Sequence, residues 1–437
     1  MIMLISLFGC LFVDVGGLII FSLVRLFVLL NSIVGYTISC SLLFDSYSSV
    51  LILLSSFVFL VIFLVGFYEK INSNNWTKLI SLIIFLGVGL FMVFSLENLL
   101  WFYIFFEFVV VPIFLIITGW GYRTNRIQAS LYMFLYTIIR SLPLLIGLVG
   151  FRAYEFGLGS VVNLFLRKPS TFSMWVWISY LVVFMVKLPL FFLHLWLPKA
   201  HVDAPLLGSI ILAGVLLKLG GYGVYKVIIY LGGRLVLLGS YVFSYPLIGG
   251  IIIGIVCLRQ VDMKSLVAYS SIVHMGPVFS SFFLYSYGGF LGGLIIMLSH
   301  GVCSSALFYI INVGYNWFNS RRLFLIRGGL YFSLVFSYFW LIFCICNIGC
   351  PPSFNFFREV FLTANFLLYG WMIFMLIFVF ILVRGFYCVF MYVFLNHGGV
   401  MTHLNGYIPI LLNDFVSLFI HTWFLMGRFF FLFSIVC

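Results

Sequence analysis

The sequence predicts an all-α polytopic membrane protein, and three observations support that fold class. Of 437 residues, 65% are hydrophobic and only 7% are charged, far too little charge to cover a soluble domain. The apolar residues lie in long runs separated by short polar breaks, the pattern of membrane spans of about 20 residues each. Backbone groups in lipid must pair internally, so the spans are helices or a closed barrel. These runs are continuous rather than alternating, which excludes the barrel.

About fourteen helices of bilayer length follow along the chain. Met1 to Val24 lacks a basic n-region and passes straight into more apolar sequence, so it reads as a span rather than a cleavable signal. Met1 to Leu43 holds the first two helices, with Arg25 at their turn. The third runs from about Tyr47 to Tyr68, and Glu69 to Lys78 is a polar loop. The fourth ends near Glu97 and the fifth carries Glu107. Gly119 to Arg126 leads into a sixth helix with Arg140 and Pro143, and Arg152 to Ser173 connects to a seventh with Lys187. An interruption over His194 to Pro205 precedes the eighth helix, which bears Lys218. Three more cover about Leu235 to Asn312, with His274 and His300 inside. The twelfth is broken at Pro351-Pro352, with Glu359 beyond the break, and two helices finish the chain.

Charge bears on partners and orientation. The net charge of +12 comes from basic residues scattered among short loops and not from a run, so nucleic acid is not an expected partner. The loops after helices three, five, seven, nine and eleven hold Lys70, Lys78, Arg123, Arg126, Lys199, Arg259, Lys264, Arg321, Arg322 and Arg327. Glu69, Asp203 and Asp262 oppose them, an excess of +7. The loops after helices four, six, eight and ten hold Arg152, Arg167, Lys168 and Arg234 against Glu97 and Glu155, an excess of +2. The positive-inside rule places the first set on the matrix or cytoplasmic side. The nine cysteines lie mostly alone in apolar runs; Cys344, Cys346 and Cys350 cluster, but with no histidine or carboxylate among them to complete a metal site. Abundant Phe (55) and Tyr (25) with only 11 Pro fit a thymine-biased organellar gene.

Ionisable residues inside spans cost at least about 2.5–3.5 kcal/mol each and tend to mark ion paths. Glu107, Lys187, Lys218, His274, His300 and Glu359 occupy separate spans, with Arg140 a seventh. One such residue is readily explained as a structural ion pair; five or more of mixed sign read as a chain of protonatable sites. An acid–base pair such as Glu107 with Lys187 can change ionisation when a neighbouring charge arrives or leaves, and histidine exchanges protons near neutral pH.

Pro189, Pro198 and Pro205 follow Lys187, and Pro351-Pro352 precede Glu359. Proline removes a backbone hydrogen bond, so a span broken there must line protein or water. Broken helices at about Lys187–Pro205 and Pro351–Glu359 predict two inverted repeats of a transporter fold. The expected divisions are N-terminal helices over 1–78, repeats over 79–232 and 233–395, and a C-terminal helix over 396–437.

Long motifs then carry a resemblance. VKLPLFFLHLWLPKAHVDAPLLGSIILAGVLLKLGGYG from Val186 to Gly223, WFYIFFEFVVVPIFLIITGWG from Trp101 and LRQVDMKSLVAYSSIVHMG from Leu258 occur with SHGVCSSALFYIIN from Ser299 and PPSFNFFREV ending at Val360. This set resembles the chain 4 family of mitochondrial NADH:ubiquinone oxidoreductase, respiratory complex I. It covers about Glu97 to Phe366 well and the two ends by hydropathy only, and the amino end looks short for the family. Chains 2 and 5 and subunits of multisubunit Na+/H+ antiporters share the ancestry; HLWLPKAH, His194 to His201, favours chain 4.

The resemblance implies a proton-translocating translocase subunit in the mitochondrial inner membrane. Glu107 is implied as the helix-five glutamate, Lys187 as its lysine partner, Lys218 as the central lysine, His274 as the second-repeat histidine and Glu359 as the terminal acid. His194 and His300 are secondary candidates, His194 equally a residue that orients the Lys187 break; His201, expected in a loop, takes a structural or interfacial role. NADH, FMN, iron–sulfur clusters and ubiquinone are implied in other subunits. This sequence has no Gly-rich dinucleotide fingerprint and no iron–sulfur cysteine pattern, and no cofactor is expected to bind it. Implied partners are other membrane-arm subunits, including the related antiporter-like chains, with cardiolipin an expected lipid beside basic loops.

Two residues depart from the family. Arg140 stands where a small residue is usual, and is expected to be buried with a carboxylate partner or to reach an interface. Arg358 replaces a glycine before Glu359; adjacent helical residues point about 100° apart, so pairing within this dipeptide is not expected. Two rival readings are a subunit of a multisubunit cation/proton antiporter, which requires Na+ dependence, and a membrane scaffold, in which neutralising the buried charges impairs assembly only.

Overall fold

A computed structural model describes residues 45–69, 75–155, 180–231, 239–367, 370–398 and 411–426. The helix pair expected in Met1 to Leu43 with Arg25, the residues Lys70, Arg167, Lys168 and Arg234, and most of the connection from Arg152 to Ser173 lie outside the described residues. The named elements among the described residues are all helical, and an isolated antiparallel bridge between Asp262 and Arg322 ties two loops together.

The first helices are α1 (Ser46–Glu69) and α2 (Trp76–Ser95), then α3 (Leu99–Phe108) and α4 (Val110–Trp120), which together make one span from Leu99 to Trp120. Asn98 starts α3 by accepting a hydrogen bond from the Leu100 N–H, the usual work of an N-cap amide. The long α5 (Arg126–Glu155) continues through Pro143. Next come α6 (180–187), which ends at Lys187, the short α7 (Trp196–Asp203) and α8 (Leu206–Ile211). A π-helical turn, Leu212–Leu216, joins α8 to α9 (Leu217–Leu231).

The second half holds α10 (Gly239–Cys257), α11 (Met263–Phe282) and α12 (Tyr287–Phe318). A single turn α13 (Gly329–Phe332), α14 (Leu334–Ile348), α15 (Phe354–Leu367), α16 (Trp371–Asn396) and α17 (Leu412–Met426) complete the described helices. Among the described helices seven are long and apolar enough to cross a membrane, and Ser244–Cys257 and Leu334–Ile348 are shorter apolar helices.

Two spans form the centre. Leu206–Ile229 and Tyr287–Phe318 are buried along their whole apolar stretch, whereas only 28% of that stretch is buried in Arg126–Val149 and in Trp371–Asn396. The 32-residue α12 packs against α11, α15, α8, α17, α14 and α1. In lipid, apolar faces gain little from leaving the solvent, so close backbone approach and polar contacts set which helices meet. Gly220 shows this directly: a Cβ there would lie 2.9 Å from the Leu188 backbone nitrogen and 3.1 Å from the Lys187 carbonyl carbon. Only hydrogen at that position lets α9 press on the break that follows α6.

Candidate functional site

The break at Lys187 is built by its own sequence. Pro189 has no N–H to continue the helix, and α6 stops at Lys187. The chain then turns through Phe192, whose φ of 65° puts a non-glycine residue in the left-handed region. The Trp196 indole N–H donates to the Val186 carbonyl at 3.0 Å, holding the two broken ends together. Lys187 is thereby presented to α3, where its Nζ lies 3.5 Å from Glu107 Oε1 and 4.2 Å from the centre of the Phe106 ring. The lysine is buried and the glutamate nearly so. The acid–base pair expected from the sequence is therefore a contact.

Lys218, itself fully buried, follows the π turn by two residues on α9. Single π turns in α-helices often accompany functional sites, because they rearrange carbonyl pairing. Here the Lys218 ammonium donates to the Ala213 carbonyl within that turn. Its Nζ also lies 3.2 Å from His300 Nδ1 on α12. The His300 and His274 rings follow, centroids 5.1 Å apart, and His274 Nε2 is 3.4 Å from the Tyr387 hydroxyl on α16. One turn back on α16, Arg384 pairs with Glu359 Oε1 and donates to the Ile348 carbonyl at 2.5 Å. Gly349, at φ 86°, leaves room for that carboxylate: a Cβ there would collide with Glu359 Oε1.

Three expectations need correction. Arg358 does pair with Glu359, its Nη2 lying 3.6 Å from Oε1. The Cβ directions diverge, but both side chains are long, and in an apolar interior the ion pair outweighs the rotamer freedom given up. His201 is not in a loop: it is wholly buried in α7, stacked on Phe308 at 4.6 Å, and neither ring nitrogen has a hydrogen-bond partner among the described residues. It lies within electrostatic reach of Lys264 and Lys218. Arg140, third, is exposed on α5, 5.5 Å from the Tyr136 ring, with no carboxylate in ion-pair range among the described residues.

Lys264, counted above as a loop charge, is also buried, in the first turn of α11 with its Nζ 3.2 Å from the Ala204 carbonyl. Beside it, burial raises the Asp203 carboxyl above the ordinary aspartate range, opposed by Arg123, Arg321 and Lys264. Arg123 reaches both Asp203 (3.9 Å) and Asp262 (3.2 Å), beside a polar cleft lined by Tyr122, Arg321 and Arg322. His194 sits mostly buried beside the break, between Phe191 and Tyr269.

Sequence reasoning passed over four buried polar residues. Arg384 is a lone arginine in an apolar helix, the same signal that singled out Arg140. Tyr387 sits one turn beyond it. Lys226, eight residues after Lys218, donates to the Leu96 carbonyl and lies over the Phe102 and Tyr222 rings. His421 on α17 meets the Ser417 carbonyl at 2.8 Å and Ser305 Oγ at 3.2 Å. With both nitrogens engaged it reads as a satisfied core histidine.

The profile of the family described as NADH:quinone oxidoreductase/Mrp antiporter, TM matches residues 96–383. NADH-ubiquinone oxidoreductase chain 4 of Ceratitis capitata is 35% identical over 415 residues, 93% of this chain and 91% of that one. The chain belongs to the NADH-ubiquinone oxidoreductase chain 4 family. Its relative in Apis mellifera ligustica is 35% identical over 92% of this chain and 89% of that one. A chain of respiratory complex I from Thermus thermophilus with bound NADH superposes with a TM-score of 0.84 at 19% identity, covering 99% of this chain and 97% of that chain, a likeness of fold. The family match spans Glu107, Lys187, Lys218, His274, His300 and Glu359, and ends just before Arg384 and Tyr387.

Proposed function

We propose that this chain is the membrane-arm subunit of an NADH:ubiquinone oxidoreductase that translocates protons along its buried polar line. The observation that carries the reading is the ordered set of contacts: Glu107 with Lys187, Lys218 with His300, His300 beside His274, His274 with Tyr387, and Arg384 with Glu359. Buried ionisable groups of both signs, spread over seven helices, are costly to place in a span and tend to mark ion paths. The pair Glu107–Lys187 receives the coupling signal, Lys218 is the central proton site, and His300 and His274 relay toward Glu359. Water would bridge Lys187 and Lys218. His194 holds the break, and His201, with Asp203 and Lys264, lies between the basic cleft and Lys218.

The finer architecture belongs to the same reading. The chain has about fourteen spans in two inverted repeats, over 79–232 and 233–395, between N-terminal helices (1–78) and a C-terminal helix (396–437). The cleft at Arg123 and Arg321 faces the matrix, following the basic excess of those loops. Hydride and electron transfer from NADH through FMN and iron–sulfur clusters to ubiquinone belongs to other subunits, and this chain contributes the translocase half. Its neighbours are other membrane-arm subunits, the related antiporter-like chains among them, in the mitochondrial inner membrane, with cardiolipin against basic loops.

Replacing Lys218 with Ala in the assembled complex tests this. The expected outcome is loss of proton translocation with the complex still assembled. A normal proton-to-electron ratio in Lys218→Ala would remove Lys218 from the path. Sodium-dependent exchange by a complex that lacks flavin and iron–sulfur subunits would instead assign the chain to a cation/proton antiporter.

A further inference from the structure

Arg140 combines three features that no other residue of α5 shares. It is a permanent cation, since guanidinium does not lose its proton in proteins. It sits well inside the span: counted from the ends of Arg126–Val149, it is about 21 Å from one and about 13 Å from the other at 1.5 Å per residue, further than one arginine side chain extends. And it is exposed on the outer face of the bundle, between Leu135 (52% exposed), Ile139 (61%) and Ile146 (73%). Its one described contact is the Tyr136 ring at 5.5 Å, and none of the described ion pairs involves it.

An uncompensated charge at that depth against hydrocarbon is among the costliest placements a span can make. The flanking residues are large and aliphatic, so this face is apolar except at one point of fixed positive charge. Pro143, one turn on, has no N–H to give to the Ile139 carbonyl, so an acceptor and a cation lie side by side on the same face. A complementary surface needs an apolar helix with one negative charge at the same depth.

We infer that the Arg140 face of α5 is an intersubunit surface, occupied by a transmembrane helix of a neighbouring subunit that presents an Asp or Glu to Arg140. This rests on the reading that the chain works in a multisubunit membrane complex, and it adds the helix face and the residue through which one neighbour is held. The charge complementarity favours a carboxylate-bearing protein helix over lipid, because an acyl-chain contact leaves the guanidinium unpaired and a headgroup is beyond its reach.

The test uses the native complex carrying Arg140→Lys, treated with a membrane-permeant carbodiimide, which joins an amine to a carboxylate it touches with loss of water. The expected product is an amide from position 140 to an Asp or Glu in a transmembrane helix of another subunit, located by mass spectrometry. In parallel, Arg140→Leu is compared with wild type for release of this chain by rising detergent. Leaving the partner's carboxylate unpaired should increase release on the order of tenfold or more, with Arg140→Lys close to wild type. Retention of Arg140→Leu as firm as or firmer than wild type would mean that the face meets lipid, and would overturn the inference. So would a cross-link to lipid alone. If wild-type chain itself purifies without other subunits, the functional reading fails first, and the two failures are told apart in the same preparation.

Discussion

Around Glu359, one carboxylate faces two guanidiniums, Arg384 in close contact and Arg358 at 3.6 Å, all three largely buried. Such a cluster is unequal in its response to loss of a member. Glu359→Gln leaves two buried cations facing each other, so destabilisation of about 3–5 kcal/mol is expected. Arg384→Leu leaves Glu359 with Arg358, and the expected loss is smaller. Thermal release of this chain from the native complex measures both; equal effects would mean that Arg358 is not a partner. These residues also show what was readable at this scale. The cost of charge in a span marks Glu107, Lys187, Lys218 and Glu359 in the bare sequence. It does not give their partners, because a partner can lie on any helix and distances come only with the fold. Arg384 went unnoticed although the same rule applies to it, and Arg140 was placed in the interior because hydropathy does not report which face of a helix points outward.

Breaks and close approaches decide the site at the scale of helices. Pro189 ends α6 at Lys187, and α9 comes up against that end through Gly220. Gly220→Ala would put a methyl 2.9 Å from the Leu188 backbone nitrogen, which cannot rotate away as a side chain could. An overpacking cost of about 1–3 kcal/mol is expected, with a displaced Lys187 and a reduced proton-to-electron ratio. Gly385→Ala on α16, where nothing lies within 4 Å of the added carbon, serves as the control and should keep wild-type coupling. If both variants pump normally, the contact between α9 and the break is not what positions Lys187. The prolines made this break legible in advance. The π turn before Lys218 was not, since LAGVL carries no residue that distinguishes π from α pairing.

Taken as a whole, the described residues place the two spans whose apolar stretches are buried throughout, one bearing Lys218 and the other His300, at the centre, and the least buried spans, α5 and α16, outside. A membrane subunit with apolar outer faces and a polar interior line is suited to sit among neighbours. Gentle detergent extraction followed by mass spectrometry is expected to recover this chain with flavin and iron–sulfur subunits and NADH:quinone activity. Recovery only with antiporter-like chains would shift the assignment to cation/proton exchange.

The sequence by itself determined that this is a helical membrane protein, where its spans are broken and that Glu107, Lys187, Lys218 and Glu359 carry charge inside them. Each of those follows from a local cost: apolar length against a bilayer, a missing proline N–H, an ion out of water. Tertiary structure alone decided that Lys218 meets His300, that Glu359 is held by Arg384 as well as its own neighbour, that His201 is interior and that Arg140 is not. Those outcomes depend on which helix faces press together, and in an apolar medium that choice is made by shape and by a few polar contacts distant in sequence.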